Sequence, residues 1–341
     1  MEKRNSKKRK KSKKIFIAIL MILFTGVILT ASTYAWFTAN KTVTVSEIDV
    51  NVTTSEGLQI SADAVNWKTV ISNEDITGVT YDGSTNQLPG QTATIKPTST
   101  IGEIDGATGF MKMFVGTVES NDAGDYILTA TQSIETKSTT TGDFVVFDLF
   151  FQTNAAATIY LTSSSSVKAS KTATGIQNAA RVGFVVQGHA AAGTDADTIR
   201  ALKNDGTGSV KAIIWEPNND VHTAAAVKHA FDVYKINTQQ EGAPKLAYKG
   251  VKANINKAAN IPLNPDDASG AADYFADVTP NISTTADGIP TGKYERVFDL
   301  ESGVTKVRIY MWVEGQDVDC EDNASGGAVA YNLQFSTLNK A

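Results

Sequence analysis

The segment Phe144-Val-Val-Phe-Asp-Leu-Phe-Phe151 decides the fold, because it is apolar on both alternating phases of a strand. A run of this kind is typical of the centre of a sheet that is covered on both faces. Further β-branched or aromatic runs lie on both sides of it, separated by turn residues, at 110–118, 126–134, 158–162 and 180–186. Such spacing predicts a mainly β protein built as an antiparallel, jelly-roll-like β-sandwich.

The end of the chain returns to the same pattern, with strands predicted at 294–300, 304–313 and 328–335. Apolar and polar residues alternate most regularly in the middle strand, at 304–313, and this pattern predicts one buried face and one solvent face. The buried face would carry Val307, Ile309, Met311 and Val313, and the solvent face Lys306, Arg308, Tyr310 and Trp312.

Between residues 189 and 293 the pattern changes, and we interpret this stretch as an insertion of loops and helices into the β domain. Helical spacing at 194–203 and 223–234 predicts two helices, with Thr194 and Thr223 as N-caps. One strand is predicted at 210–215, and residues 245–292 show little periodicity.

The N-terminus has the pattern of a secretory signal. Nine Lys and Arg residues lie between Met1 and Lys14, and residues 15–29 carry no charge. Thr33 and Ala35 fit a signal peptidase site that cuts before Trp36, which predicts a signal peptide helix at 1–35 and a secreted domain at 36–341. The alternative is a retained anchor, since residues 15–31 approach the length that spans a bilayer. In both cases the chain from Trp36 onward is expected outside the membrane. The single cysteine of the chain, Cys320, fits a protein exposed at the surface of a Gram-positive-type bacterium.

The net charge and the cysteine content argue against a nucleic-acid-binding protein and against a fold stabilised by disulfides. Without residues 1–35, 22 Lys and Arg stand against 35 Asp and Glu, which takes the net charge from −5 to −13. An acidic domain is a poor partner for nucleic acid, and we expect no contact with a membrane beyond the signal segment. The single cysteine, Cys320, cannot form a disulfide within the chain, so burial and strand pairing must hold the fold.

Motifs of common catalytic sites are absent from the sequence. It contains no His-Glu-x-x-His string, no glycine-rich phosphate loop and no Gly-x-Ser-x-Gly elbow. We therefore expect a protein that is not an enzyme and carries no cofactor, and keep an extracellular hydrolase as an alternative.

Two histidines are spaced for one face of a helix. His222 and His229 are seven residues apart, which is two helical turns. A zinc site would need a third ligand that the sequence does not nominate, so the alternative is that both are solvated surface residues.

The acidic run Asp317-Val-Asp-Cys-Glu-Asp-Asn323 begins like a calcium loop. The match to an EF-hand fails further on, because Asp322 stands where glycine is required and Ala328 where the bidentate glutamate is required. The run predicts either a calcium site of another type or a solvated acidic turn. The candidate ligands are Asp317, Asp319, Glu321 and Asp322.

Two tryptophans could serve a binding function. Trp215 and Trp312 could stack on sugars, which favours a carbohydrate-binding module or cell-surface adhesin as the alternative function. Packing in the core or on a sheet face is the other fate of such side chains.

Several strings resemble those of one protein family. They are Ser32-Thr-Tyr-Ala-Trp-Phe37, a short β segment at 42–50, Ile214-Trp-Glu-Pro-Asn218, Ile309-Tyr-Met-Trp-Val-Glu-Gly-Gln-Asp317 and the terminal strand at 328–335. The first, second and last of these resemble the TasA/camelysin group of secreted Firmicute proteins, and the strings at 214–218 and 309–317 resemble those of large exported proteins with the same N-terminal signature. The resemblance implies a jelly-roll-like subunit that assembles into extracellular matrix fibres, with the N-terminal segment of one subunit completing the sheet of the next.

The N-terminal β segment at 36–52 is therefore the candidate assembly element. Its alternation changes phase at Ser46-Glu47, which predicts either a β-bulge or a break into two short strands. The expected function is a non-enzymatic structural subunit of a fibre or biofilm matrix, whose partners are further copies of itself and other matrix or cell-surface components. The side chains expected to enter a neighbouring subunit are Val43, Val45, Ile48 and Val50.

Overall fold

The computed structural model describes one tryptophan ahead of the first strand and most of the chain after it. The described residues are 36, 42–53, 57–79, 81, 94–120, 126–136, 142–170, 173–207, 211–219, 221–232, 248–259, 271–278, 280–285 and 288–338. The predicted signal segment at 1–35 lies outside them. In the described ranges, the helices are all too short or too polar to cross a membrane.

Strands dominate the structure, with 50% of residues in strands and 12% in helices, so the prediction of a mainly β, sandwich-like fold is confirmed. The strands are β1 Val43–Thr53, β2 Gln59–Ser61, β3 Val70–Ile71, β4 Thr94–Ile95, β5 Pro97–Ser99, β6 Ile104–Asp105, β7 Phe110–Met111, β8 Met113–Ser120, β9 Tyr126–Ser133, β10 Val145–Thr153, β11 Ala157–Thr162, β12 Ser166–Ala169, β13 Ala180–Ala190, β14 Ile213–Glu216, β15 Lys249–Val251, β16 Ile255–Ala259, β17 Phe275–Asp277, β18 Ile282–Ser283, β19 Tyr294–Leu300, β20 Gly303–Glu314 and β21 Ala328–Ser336.

Short helices connect some of these strands. The α-helices are α1 Asn73–Thr77, α2 Ala196–Ala201, α3 Ala224–Asp232 and α4 Ala271–Tyr274, and 3-10 turns lie at Ile176–Ala179 and Asp322–Ala324. The two predicted helices correspond to α2 and α3. Thr223 caps α3 as predicted, since its Oγ1 accepts a hydrogen bond from the Ala226 N–H, whereas Asp195 and not Thr194 caps α2.

Ten strands form the larger sheet around β20. Its order is β16-β9-β8-β5-β20-β13-β14-β18, and β10 pairs with β20 and β2 beside this path. As predicted, β10 is buried along almost its whole length. Phe147, Leu149 and Phe151 face the core shared with the second sheet, while Phe144 and Val146 belong to a separate apolar cluster.

The prediction of a solvent face on β20 was wrong, because all twelve residues of this strand are buried. Its predicted buried face, including Val307 and Ile309, does lie in the main core. The opposite face is covered as well: Tyr310 and Trp312 pack with Met111 and other apolar residues. Polar residues can occupy such a strand when partners satisfy their charges, and this strand has such partners.

Seven strands form the smaller sheet, in the order β19-β11-β21-β1-β3, with β12 on β21 and β4 on β1. The first and last strands, β1 and β21, run parallel over nine paired positions, from Thr44 opposite Ala328 to Thr53 opposite Ser336. The register shifts between Val45 and Glu47, which confirms the predicted bulge. Parallel pairing also joins β5 to β20 and β14 to β18, so both sheets are mixed and not purely antiparallel.

The segment at 189–293 is joined to the β core by its own strands. The predicted strand at 210–215 corresponds to β14, which pairs with β13. Two other strands of this segment, β16 and β18, also join the larger sheet, and β15 and β17 form a separate two-stranded sheet. The segment therefore extends the larger sheet at both ends.

Candidate functional site

The structure brings His222 and His229 against the acidic run that follows β20. The Nδ1 atom of His222 lies 2.7 Å from Oδ2 of Asp319, and the Nδ1 atom of His229 lies 2.9 Å from Oε1 of Glu321. The two motifs were recognised separately in the sequence, but nothing in the sequence predicted that they meet. Each histidine has a carboxylate partner, and the two partners are alternate residues of one loop.

Local structure explains how the groups are positioned. His222 lies just before α3 and His229 lies within it, while the acidic residues lie in the loop between β20 and β21. The backbone N–H of Thr223 donates to Oδ1 of Asp319 at 2.9 Å. One carboxylate of the loop therefore contacts both the beginning of α3 and the histidine that precedes it.

Both alternatives that placed these groups in solvent were wrong. The side chain of His222 is 3% exposed, and Asp317, Asp319 and Glu321 are buried. Asp322, the fourth candidate calcium ligand, is partly exposed in the 3-10 turn. A buried group of carboxylates is costly unless charged or hydrogen-bonding partners accompany it.

Arg181 supplies the main counter-charge from β13. Its guanidinium is fully buried and lies 2.6 Å from the Glu216 carboxylate and 2.5 Å from that of Asp317. The same group contacts the face of Tyr248, 5.1 Å from the ring centroid. Sequence reasoning missed Arg181 because it stands within an otherwise apolar strand.

Burial shifts the ionisation of several members of this cluster. Burial raises the pKa of Glu314, at the end of β20, to about 7, against the lowering effect of Ser99 and Arg181. Burial also raises the pKa of Asp319. For His222, burial favours the neutral ring, but the hydrogen bond to Asp319 and the charges of Asp317 and Asp319 outweigh it and raise the pKa.

The donor atoms of this cluster have the spacing of metal ligands. One ring nitrogen of His222 and one oxygen each of Asp317 and Asp319 lie within 4.8 Å of one another. The group therefore takes one histidine and two carboxylates of the acidic run, and His229, which pairs with Glu321, is not part of it. A set of imidazole and carboxylate donors suits zinc and similar divalent ions.

Cys320 lies within the acidic run and is fully buried. Burial, with the nearby charges of Asp317 and Glu314 adding to it, raises the pKa of its thiol well above the usual value. Because the thiolate is the reactive form, this residue is not suited to nucleophilic chemistry or to a disulfide with another chain.

A second buried cluster of charges lies on the face of β20 that carries Lys306, Arg308 and Tyr310, opposite the main core. Arg308 donates two hydrogen bonds to Asp148 of β10, at 2.8 and 3.1 Å, and Lys306 lies 3.5 Å from the same carboxylate. Glu135 lies 3.3 Å from Arg308 and accepts a hydrogen bond from Tyr310. Burial raises the pKa of Glu135 to about 7, although the Arg308 charge opposes this. Two cations thus face two carboxylates.

The four candidate assembly residues of β1 are buried in the core of their own chain. Val43, Val45, Ile48 and Val50 all belong to the core shared by the two sheets. Trp36, ahead of this strand, is also fully buried. Its Nε1–H donates to Oε1 of Gln316 at 2.6 Å.

The tryptophans proposed for sugar stacking are not available at the surface. Trp215 and Trp312 are both fully buried. Trp215 donates a hydrogen bond to Oγ1 of Thr284 at 2.9 Å, and Trp312 donates to the Glu314 carboxylate at 3.1 Å. The alternative that these rings stack on a carbohydrate was therefore wrong, and both rings pack in the core, the other fate expected for them.

Comparisons of the chain with protein-family models, with curated proteins and with solved structures found no match. The fold and the site define the chain as a mainly β, sandwich-like protein with a buried cluster of histidines and carboxylates.

Proposed function

We propose that this chain is a secreted, non-enzymatic structural subunit of an extracellular fibre or biofilm matrix, in which β1 of one copy completes the smaller sheet of the next. The observation that carries the proposal is the position of β1. It is the first strand of the described chain, yet it occupies an inner position of its sheet.

The neighbours of β1 support an exchange between copies. On one side, β21 pairs with it in parallel over nine positions. On the other side, among the described residues, β3 pairs with Val50 and Asn51 and β4 with Val43 and Thr44, and the Val52 N–H donates to the Thr69 carbonyl at 2.9 Å. The strand therefore lies in a groove with a long ladder on one side and two short contacts on the other.

Side-chain burial supplies the energy for such an arrangement. Val43, Val45, Ile48 and Val50 leave almost no surface exposed, and full burial of an aliphatic side chain contributes about 1.5–3 kcal/mol. A copy that withdrew β1 would expose this groove, and the same segment of a neighbour would fill it with the same contacts. Exchange of identical elements thus costs little at equilibrium and joins the copies into a chain.

The sequence features of the N-terminus support the proposal that the protein is secreted. The basic cluster, the uncharged run and the small residues before Trp36 are those of an export signal. A segment that begins at a cleaved terminus can leave and enter a sheet without threading a loop through it.

Deleting residues 36–52 is a poor test, because it removes a core strand and Trp36 together. A disulfide that links β1 to β3 of the same copy is a more specific test. Asn51 and Val70 are opposite residues of the antiparallel β1–β3 pair, and Val70 is 52% exposed, so cysteines at both positions are within bridging reach.

The experiment is electron microscopy of the purified Asn51→Cys/Val70→Cys protein, oxidised before assembly or kept reduced. We expect filaments from the reduced protein and from the wild type, and few or none from the oxidised protein, because the bridge holds β1 in its own sheet. Equal numbers of filaments from oxidised and reduced protein would contradict the proposal that β1 is exchanged between copies. The single variants Asn51→Cys and Val70→Cys are the matched controls for the substitutions themselves.

A further inference from the structure

We propose that His222, Asp317 and Asp319 bind a divalent transition-metal ion of the zinc type, and that this ion joins the start of α3 to the loop between β20 and β21. One donor atom from each residue lies within a common distance of 4.8 Å. This site is separate from β1 and goes beyond the assembly function proposed above.

The imidazole of His222 lies against the Asp319 carboxylate in the interior of the protein. Its Nδ1 is engaged with Asp319 at 2.7 Å, and its side chain is 3% exposed. Its Nε2 atom is buried and has no hydrogen-bond partner in the described part of the chain. The two ring nitrogens point to opposite sides of the imidazole, so an ion shared with Asp319 would be bound through Nδ1, in place of this hydrogen bond.

The two carboxylates are held in fixed orientations by backbone donors. The N–H of Asp319 donates to Oδ1 of Asp317 at 2.9 Å, and the N–H of Thr223 donates to Oδ1 of Asp319 at 2.9 Å. A carboxylate oxygen has more than one lone pair, so these hydrogen bonds leave capacity for a metal. Outer hydrogen bonds that orient the ligands are a regular feature of metal sites.

The charge of the cluster also favours a cation. Arg181 is shared between two carboxylates, those of Glu216 and Asp317, while Asp319 and Glu321 are paired with histidines. Glu314 is buried nearby. In the second buried cluster the fixed charges balance, with Arg308 and Lys306 facing Asp148 and Glu135. The cluster at His222 has an excess of carboxylates, which a divalent ion would reduce.

The donor set selects zinc over calcium. Calcium takes six to eight oxygen ligands in a roomy site, whereas zinc takes about four ligands at about 2 Å and accepts imidazole readily. A histidine and two buried aspartates therefore fit zinc, with a fourth position left for a further ligand or a water.

The position of the site indicates what the ion would do. His222 and Asp319 are separated by 97 positions in the sequence, and the first lies before α3 whereas the second follows β20. An ion that binds only the folded arrangement stabilises it against unfolding. The ion would stabilise the contact between the segment at 189–293 and the loop that follows β20.

The test is a calorimetric titration of the metal-free full-length protein with zinc chloride, with calcium chloride titrated in parallel. We expect one zinc ion per chain and much weaker binding of calcium. His222→Gln and Asp319→Asn should each lower zinc affinity at least tenfold, and His189→Gln should leave it unchanged. His189 is the matched control because it lies outside the cluster, 3.5 Å from Glu301.

Thermal unfolding provides the second readout. Zinc at about one hundred times its Kd should raise the Tm of the wild type and of His189→Gln by about 5 °C, and should not raise that of Asp319→Asn. Asparagine keeps the acceptor for the Thr223 N–H, so this variant carries the test if His222→Gln does not fold. The proposal is overturned if the wild type binds no zinc, if calcium binds more tightly, or if zinc binding and the Tm shift survive Asp319→Asn.

Discussion

At the scale of single residues, Trp36 depends on two glycines. A Cβ atom at Gly315 would lie 2.4 Å from the Trp36 ring, and one at Gly116 would lie 2.7 Å from it. These distances are too short for any side chain, so both positions must remain glycine for the ring to stay where it is. The residue that would form the new N-terminus after signal cleavage is thereby fixed inside the domain.

The first prediction concerns this pocket. Gly315→Ala should lower the free energy of unfolding by about 1–3 kcal/mol, because the added methyl group overlaps the indole ring. Urea unfolding monitored by circular dichroism measures the change. In a Trp36→Ala background the same substitution should cost much less, since the overlapping ring is gone. An equal cost in both backgrounds would show that Gly315 is required for another reason.

The second prediction concerns Glu135, whose burial raises its pKa from 4.5 to about 7. A carboxyl with a raised pKa binds its proton more tightly in the folded state, so its stabilising contribution is present at low pH and is lost as pH rises through 7. The free energy of unfolding should therefore fall between pH 5 and pH 8, with Glu135 contributing up to about 3 kcal/mol of that fall.

Denaturant unfolding over this pH range tests the effect in Glu135→Gln, which should reduce the fall by the Glu135 share because glutamine does not ionise, and should leave the share of Glu314, whose pKa burial also raises to about 7. Glu301→Gln is the control, since the Glu301 side chain is 76% exposed. Identical pH profiles for Glu135→Gln and the wild type would contradict the assignment.

At the scale of elements, the sequence predicted strands best where one segment determined the outcome. The run at 144–151 is apolar on both phases, and β10 is covered on both faces. The phase change at Ser46-Glu47 likewise appears as a register shift in β1. Both features are local, so the pattern of side chains along one strand was sufficient.

The prediction failed on β20 because its polar residues find partners far away in the chain. Arg308 pairs with Asp148, 160 positions earlier, and Tyr310 contacts Glu135, 175 positions earlier. Alternation of polar and apolar residues indicates solvent only when no buried partner exists, and one strand's sequence cannot reveal such a partner.

The candidate site shows the same limit. Both halves were recognised, His222 with His229 and the run at 317–323, because each has a local spacing typical of ligands. Their meeting depends on how α3 packs against the loop after β20, which no local pattern encodes. Arg181 was missed because β13 reads as an apolar strand in which a single cation carries no recognisable signal.

At the scale of the whole molecule, strands from opposite ends of the described sequence meet in one sheet. The first strand of the described chain and the last one, β1 and β21, are neighbours in the smaller sheet. In the proposed exchange, β21 would pair with β1 of another copy through the ladder that it forms here with its own β1. A fibre built by exchange would repeat this pairing at every junction.

The central claim is tested most directly by where a disulfide forms in assembled material. The Asn51→Cys/Val70→Cys protein is allowed to assemble while reduced, is then oxidised, and is separated on a denaturing gel without reductant. Exchange places Asn51 of one copy opposite Val70 of another, so the account predicts a ladder of disulfide-linked multimers that collapses to monomer on reduction. Wild-type protein should give no ladder, since its single cysteine, Cys320, is buried. Filaments whose oxidised subunits migrate only as monomers, or a failure to form filaments at all, would contradict the account.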